Sequence, residues 1–327
     1  MTMNKRHRQQ GAALITVLLV VAIVSVIAVQ LGSQLQNNVQ RTANAYQAEQ
    51  SYWMWLSAEE VLSEVLAQEL DANDGIAHHN QAWAQENGPF PIEGGGQIAA
   101  VVRDLYSCFN VNSLAVSDSD ENLKKLRRAQ FVELLKAVDI DAYQAEQLTD
   151  ALTDFVDSDT RMLAQGAEDP DYEALPLPYQ TANSALVDIS ELRLIRGFSA
   201  EIVNKIKAYV CAIPQVTELK ININTLDSEH GALLVALSQG KLSPSAASDI
   251  LKGRPEEGYS SIEAALSEGT LNSLKREVEG SLAELTVDSD YFLLNAFLKW
   301  QQTEIQARSI LQMNDKQVSV IYRAMGE

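Results

Sequence analysis

A run of acidic side chains near the middle of the chain has the residue types and spacing of a cation site. Five carboxylates lie between residues 157 and 171, with Arg161 as the one basic side chain among them. Calcium binds about six to eight oxygens from carboxylates, carbonyls and water, and a dense acidic cluster repels itself unless a cation or water screens it. We therefore predict a calcium site at these residues. The candidate ligands are Asp157, Asp159, Glu168, Asp169 and Asp171.

A second interpretation of this acidic run stays open. The spacing of the carboxylates is not that of an EF-hand loop. Aspartates also cap helices and occupy solvated loops, where they need no metal. The residues alone do not choose between a calcium site and a solvated loop.

The chain has two cysteines, Cys108 and Cys211, and no Cys-x-x-Cys pair. In a cytosolic protein both would be buried thiols, whereas one structural disulfide is favoured in a protein that is exported. The sequence does not establish the pairing, so the choice depends on the cellular compartment.

Motifs of enzymatic chemistry are missing from the sequence. The four histidines form no His-Glu-x-x-His pair, and no Gly-x-Ser-x-Gly occurs. Gly240 and Lys241 lack the earlier glycine and the following hydroxyl residue of a phosphate-binding loop. We predict that the chain is not an enzyme.

An apolar segment near the N-terminus is the first structural element that the sequence predicts. Residues 12–31 contain no charged side chain, and a basic leader with Lys5, Arg6 and Arg8 precedes them. As a helix this segment is about 30 Å long, which matches one hydrocarbon thickness. The positive-inside rule keeps the leader in the cytoplasm, so the bulk of the chain lies on the other side of the membrane. A cleaved secretory signal is disfavoured because the helical pattern continues beyond the segment.

Gly11 lies at the junction between the basic leader and the apolar segment. This junction resembles the cleavage site of type IV prepilins and pseudopilins, which a prepilin peptidase cuts after the glycine before methylating the new N-terminus, here Ala12. That family usually has Glu at the fifth mature position, where this chain has Thr16. A carboxylate in lipid needs a partner, which a neighbouring subunit supplies in related pilins. The absence of Glu at this position predicts a subunit at the filament tip, although an ordinary transmembrane anchor also accounts for Thr16.

The rest of the chain is predicted to be α+β. The first helix continues to about Asp71, residues 87–96 form a loop rich in Gly and Pro, and residues 97–106 form a strand. Period-two alternation predicts late strands at 283–287, 291–300, 304–311 and 317–324, with a hairpin turn at 314–316. Helical patterns between them lie at 122–137, 142–156, 200–209, 230–237, 243–251 and 261–267.

Several motifs along the whole chain resemble the minor pseudopilins of the type II secretion system, in the family of general secretion pathway protein K. Gly11 with the apolar segment and Thr16 in place of Glu are two of them. The others are residues 108–114 (CFNVNSL), 154–160 (DFVDSDT), 166–169 (GAED), 181–183 (TAN), 187–193 (VDISELR) and 209–211 (YVC).

This resemblance implies a pilin-like fold, in which a long N-terminal helix packs on an antiparallel sheet and a large all-helical insertion domain interrupts the sheet. It also implies a disulfide between Cys108 and Cys211 and bound calcium. The expected divisions are a leader (1–11), a hydrophobic and amphipathic helix (12–71), a first pilin-like part (72–112), the helical insertion (113–282) and a second pilin-like part (283–327).

The function implied by the resemblance is a minor pseudopilin that initiates or caps the pseudopilus for export of folded proteins across the outer membrane. Its expected partners are other minor pseudopilins, the prepilin peptidase and the inner membrane, which a single span crosses with the bulk of the chain in the periplasm. The alternative is a membrane-tethered DNA receptor, because residues 190–210 resemble a helix-hairpin-helix. A formal net charge of −19 argues against a nucleic-acid partner, since phosphate binding needs a basic surface.

Overall fold

The computed structural model describes residues 6–92, 95–116, 120–277, 282–300, 303–314 and 316–326. Residues 1–5 of the predicted leader and Asp315 of the predicted hairpin turn lie outside these ranges.

The first helix, α1 (Arg6–Ala72), is continuous over 67 residues and ends one residue beyond the predicted position. Gly75 has a φ of 82° and donates its backbone N–H to the carbonyl of Leu70 at 2.8 Å. A glycine tolerates this left-handed conformation, and the hydrogen bond satisfies a carbonyl of the last helical turn. The stop signal after Asp71 therefore acts as the sequence predicts.

The rest of the chain forms eight further α-helices and nine strands within the described residues. The helices are α2 (Glu121–Ala137), α3 (Ala142–Val156), α4 (Asp169–Glu173), α5 (Ala200–Ile206), α6 (Ala232–Leu237), α7 (Pro244–Gly253), α8 (Ile262–Ser267) and α9 (Gly269–Glu277). The strands are β1 (Asn87–Ile92), β2 (Gly96–Asp104), β3 (Phe109–Asn110), β4 (Val210–Cys211), β5 (Ile221–Asn222), β6 (Leu285–Thr286), β7 (Tyr291–Trp300), β8 (Thr303–Asn314) and β9 (Gln317–Met325).

Five of the strands form one antiparallel sheet in the order β1–β2–β7–β8–β9. Strands β2 and β7 are neighbours, with Gly96 opposite Trp300 and Asp104 opposite Phe292, although residues 105–290 separate them in the chain. Everything between those two strands is therefore inserted into the sheet. The predicted α+β class, with a long helix on an antiparallel sheet, is confirmed.

The C-terminal half of α1 packs on one face of this sheet. Trp55 and Leu66 are buried on the helix, and they belong to two apolar clusters that also contain residues of β2, β7 and β8. Burial of each large apolar side chain contributes about 1.5–3 kcal/mol, so this helix face holds the sheet firmly.

The inserted region has its own core, in which Phe109, Phe131, Leu148 and Phe155 are almost fully buried. It is mainly helical but not all-helical as predicted, because it also contains two short parallel strand pairs, β3–β4 and β5–β6. The division of the chain at residues 113 and 282 stays a prediction.

Several elements differ from the sequence-based expectation. Residues 87–92 form the edge strand β1 rather than a loop, because an edge strand tolerates prolines that lack a backbone N–H. Helices α4 and α9 lie where no helix was predicted. Helix α5 ends at Ile206, three residues before the predicted end.

Candidate metal centre and N-terminal segment

Helix α3 carries the first acidic residues of the candidate metal centre. Asp150 and Asp154 are one turn apart, and Asp157 follows three residues later, so the three side chains share one side of the helix end. The backbone N–H of Asp157 donates to the carbonyl of Thr153 at 2.9 Å and closes the last turn. The helix thereby fixes the position at which Asp157 leaves it.

The loop after α3 folds back onto the carboxylates of the helix. The N–H of Leu163 donates to both oxygens of Asp154, and the N–H of Gln165 donates to Oδ2 of Asp150 at 3.1 Å. Gly166 passes so close to Asp154 that a Cβ there would lie 1.7 Å from its Oδ2. Only glycine fits this approach, and the return of the loop brings Glu168 back to the end of α3.

Three of the predicted ligands meet at this point. Asp157, Asp159 and Glu168 each present one carboxylate oxygen, and the three oxygens lie within 4.8 Å of one another. Asp157 and Glu168 are buried, whereas Asp159 is partly exposed. Carboxylate oxygens at this spacing form the kind of site that calcium occupies.

The carboxylate oxygens of Glu168 indicate that protein groups alone do not satisfy this cluster. Both oxygens are buried, and within the described residues neither accepts a hydrogen bond of good geometry, although the backbone N–H of Asp169 acts to lower the pKa of Glu168. Burial, followed by the charges of Asp157 and Asp169, raises the pKa of Glu168. A buried carboxylate without a partner is costly, so these oxygens fit a hard cation.

Asn183 lies close to the same helix end. Its N–H donates to the carbonyl of Phe155 at 3.1 Å, and its side-chain Oδ1 is buried without a hydrogen-bond partner in the described part of the chain. Its backbone therefore contacts the helix two residues before Asp157, and its side chain carries a buried neutral oxygen. The sequence analysis did not single out this residue as a ligand.

The structure does not bring the other two predicted ligands into the triad. Asp169 accepts hydrogen bonds from the N–H of Thr181 at 2.9 Å and from its hydroxyl at 2.6 Å. Asp171 accepts from the Arg196 guanidinium at 3.0 Å and from the N–H of Glu168 at 3.3 Å. Helix α4 begins at Asp169 and turns these two carboxylates toward other partners.

Asp150 and Asp154 are acidic residues of this region that the sequence analysis missed. Asp150 pairs with Arg128 of α2. Burial raises the pKa of Asp154 to about 7, and the neighbouring charges of Glu168 and Asp157 act in the same direction. Their helical spacing before Asp157 was the signal that could have found them.

Helix α2 supplies a cation to the triad itself. Nζ of Lys124 lies 3.3 Å from Oδ2 of Asp157 and 3.7 Å from Oδ2 of Asp159. Its side chain is 11% exposed. The acidic cluster is thus partly balanced by a neighbouring helix, which the sequence pattern did not indicate.

The two cysteines form a disulfide at the base of the inserted region. Cys108 and Cys211 are both buried, and their Cα atoms are 5.8 Å apart. Asn110 pairs with Cys211 in the β3–β4 ladder, so the bridge and the ladder join the same two segments. The covalent link fastens the chain just after β2 to a point 103 residues later.

Among the described residues, the apolar part of α1 is not buried against the rest of the fold. By length and composition it can cross a membrane, and none of its apolar window is buried. The hydroxyl of Thr16 donates to the carbonyl of Ala13 at 2.9 Å, and that of Ser25 donates to Val21 at 2.8 Å. The two hydroxyl groups of the segment are therefore satisfied within their own helix.

The segment predicted to resemble a helix-hairpin-helix contains a 3-10 helix at Ile189–Leu194 followed by α5. Gly197, with a φ of 90°, makes the turn between them. Arg196, a cation at the turn, is paired with Asp171. A backbone-phosphate contact by this side chain would first have to break that ion pair.

Comparison with known proteins gives consistent matches over nearly the whole chain. Residues 107–215 and 221–287 match the family described as "Type II secretion system (T2SS), protein K". The type II secretion system protein K of Aeromonas hydrophila is 36% identical over 311 residues, which cover 93% of each chain. The protein of the same name from Klebsiella pneumoniae is 34% identical over 321 residues, which cover 98% of this chain and 97% of that one.

The fold is also similar to that of a chain in a solved structure, the crystal structure of the GspK–GspI–GspJ complex from the enterotoxigenic Escherichia coli type 2 secretion system. The two chains superpose with a TM-score of 0.78 at 32% sequence identity. The match covers 88% of the present chain and 99% of the other.

Proposed function

The chain belongs to the protein K family of type II secretion systems, and from this premise we propose that it is the minor pseudopilin at the tip of the pseudopilus. Proteins of this family are structural pseudopilins rather than enzymes. In the proposed role the chain initiates or caps the pseudopilus, which exports folded proteins across the outer membrane.

The absence of an acidic side chain at Thr16 supports the tip assignment. An acidic side chain at this position would need a partner from a subunit above it in the filament, because an isolated charge in lipid is costly. The hydroxyl of Thr16 instead bonds to Ala13 of its own helix. The helix can therefore end a filament without leaving a charge unpaired.

The N-terminal segment gives the proposed route into the membrane. We propose that the prepilin peptidase removes residues 1–11 after Gly11 and that Ala12 becomes the methylated N-terminus. Residues 12–31 then span the inner membrane once, with the bulk of the chain in the periplasm. The apolar, unburied character of the segment supports this arrangement.

We propose that the partners at the tip are two other minor pseudopilins, by analogy with the GspK chain, whose solved structure contains GspI and GspJ. Large apolar side chains continue along α1 beyond the membrane segment and stay exposed: Leu35, Val39, Tyr46 and Trp53. An exposed apolar stripe of this kind marks a protein–protein contact. These side chains are suited to pack against the equivalent helices of the partners.

Co-purification tests the tip role directly. The full-length chain, extracted in detergent from cells that also express the other two minor pseudopilins, should be recovered with both in equal amounts. Recovery of the chain without them would contradict the proposal. A mobility-shift assay with double-stranded DNA at physiological salt tests the DNA-receptor alternative on the same preparation.

We further propose that the acidic triad binds calcium. Asp157, Asp159 and Glu168 would supply its carboxylate ligands, and Asn183 is placed to add a neutral oxygen. Bound calcium would neutralise the repulsion among the carboxylates and join the end of α3 to the start of α4. The unpartnered buried oxygens of Glu168 support this assignment.

A further inference from the structure

Lys124 contacts two of the three carboxylates that the proposed calcium site offers. Its ammonium lies 3.3 Å from Oδ2 of Asp157 and 3.7 Å from Oδ2 of Asp159, which are two of the three triad carboxylates. A metal ion bound between these carboxylates would lie close to the ammonium.

Two features of the position of Lys124 disfavour a positive charge there. It lies in the first turn of α2, where the helix dipole disfavours a positive charge. Its side chain is also largely removed from solvent, which penalises a charged amine. The carboxylates of Asp157 and Asp159 offset these two costs.

Lys125, the next residue of α2, is far more exposed than Lys124. Lys125 pairs with Glu121 at 3.3 Å, and their side chains are 68% and 65% exposed. Such a surface pair contributes little, because water screens it. Of two adjacent lysines on one helix, only Lys124 is therefore placed to affect the triad.

The charges favour exchange between lysine and metal. In the metal-free chain the ammonium offsets one of the three negative charges of the triad and so holds Asp157 and Asp159 together. A divalent ion at the same carboxylates repels the ammonium strongly, since the interaction between charges grows as their separation falls. The two carboxylates therefore do not bind the ammonium and the divalent ion tightly at the same time.

We propose that Lys124 is a built-in competitor for the calcium site: it binds Asp157 and Asp159 in the metal-free chain and is displaced when calcium binds. This inference rests on the proposed calcium binding. The lysine keeps the acidic loop ordered without metal and lowers the affinity for calcium, so that the site is half filled at a higher calcium concentration.

Lysine footprinting of the wild-type, full-length chain in detergent tests the displacement without any substitution. An amine-acetylating reagent is applied in excess calcium or in excess chelator, and peptide mass spectrometry measures the modification of Lys124 relative to Lys125. Acetylation of Lys124 should rise about tenfold or more with calcium, while Lys125 stays constant. Equal acetylation of Lys124 in both conditions, with calcium binding demonstrated, would overturn the proposal.

Calcium titration of variants gives the second measurement. Lys124→Met should bind calcium about tenfold more tightly than the wild type, because the competing charge is gone. Lys124→Arg keeps the charge and Lys125→Met leaves the triad untouched, so both should bind with an affinity near that of the wild type. Unchanged or weaker binding by Lys124→Met would refute the competitor role. Absence of binding by every protein, wild type included, would instead refute the calcium site.

Discussion

Arg323 on the last strand, β9, donates hydrogen bonds from Nε and Nη2 to both carboxylate oxygens of Glu59 on the long helix α1. Nε donates to Oε2 at 2.9 Å, and Nη2 donates to Oε1 at 2.7 Å. Glu59 is buried, and Ser309 of β8 donates to it as well. The ion pair therefore joins α1 to the edge strand of the sheet. It also neutralises a carboxylate whose burial without a partner would be costly.

Replacement of the arginine should loosen this connection. We expect Arg323→Met to lower the free energy of unfolding by about 2 kcal/mol, since Glu59 keeps only its bond to Ser309. The guanidinium is 43% exposed, which keeps the loss below that of a fully buried pair. Urea denaturation of the full-length chain in detergent measures it. Lys299→Met, which removes an exposed ion pair with Glu304, is the control and should leave the midpoint unchanged.

Processing after Gly11 can be tested by a bulky substitution. Gly11→Leu should leave the chain as an unprocessed precursor and stop secretion, because the peptidase must accommodate the residue before the cleaved bond. Intact mass measurement on the purified chain distinguishes precursor from mature protein. Gly32→Leu is the matched control, because a Cβ at Gly32 meets nothing within 4 Å. Normal maturation of the Gly11→Leu chain would rule out this cleavage site.

The calcium site predicts a metal-dependent melting temperature. Chelation should lower the melting temperature of the wild-type chain by several degrees, since a ligand at about 100 times its Kd stabilises the folded state by about 2.7 kcal/mol. Glu168→Gln should abolish this shift. Asp169→Asn should retain it, because Asp169 bonds to Thr181 rather than to the triad. A melting temperature that chelator does not change would exclude a calcium site in the wild type.

The sequence predicted the parts of this fold that depend on periodicity. The long helix, strand β7 and helix α3 have the predicted positions because their apolar patterns extend over many residues. Strand β1 was missed because Pro89 and Pro91 indicate a loop unless the strand is known to lie at an edge. Edge position is a property of the assembled sheet, which no local pattern contains.

The candidate metal centre shows the same limit. The sequence identified all three triad residues but could not separate them from Asp169 and Asp171, which lie within a few residues. That separation depends on where α4 begins and on contacts with Thr181 and Arg196. The contribution of Lys124 was equally hidden, because it depends on the packing of α2 beside the end of α3.

The disulfide should contribute substantially to stability. Its reduction, or replacement of both Cys108 and Cys211 by serine, is expected to lower the free energy of unfolding by about 2–5 kcal/mol, because the bridge closes a long loop in the unfolded chain. Urea denaturation with and without reductant provides the measurement. The double-serine chain is the control and should not respond to reductant. A wild-type midpoint unaffected by complete reduction would contradict this expectation.

Asp104 should make stability depend on pH. It is fully buried at the end of β2, where it accepts hydrogen bonds from Thr225, from Ser289 at 2.6 Å and from the N–H of Tyr106 at 2.7 Å. Burial raises its pKa to about 6, in spite of those hydrogen bonds, which act in the opposite direction. The folded state therefore binds the proton more tightly than the unfolded state, in which an aspartate has a pKa of about 3.9.

The sign of the effect follows from this difference. The stabilising contribution of protonated Asp104 is complete below about pH 4 and is lost as the pH rises through about 6, with a total of about 3 kcal/mol. Between pH 4 and pH 7.5 the wild type should lose this amount relative to Asp104→Asn, which cannot titrate. Urea denaturation across that range measures both proteins, and Asp249→Asn, at an exposed position, should follow the wild type. Parallel pH profiles of the wild type and Asp104→Asn would show that the buried carboxylate does not control the pH dependence.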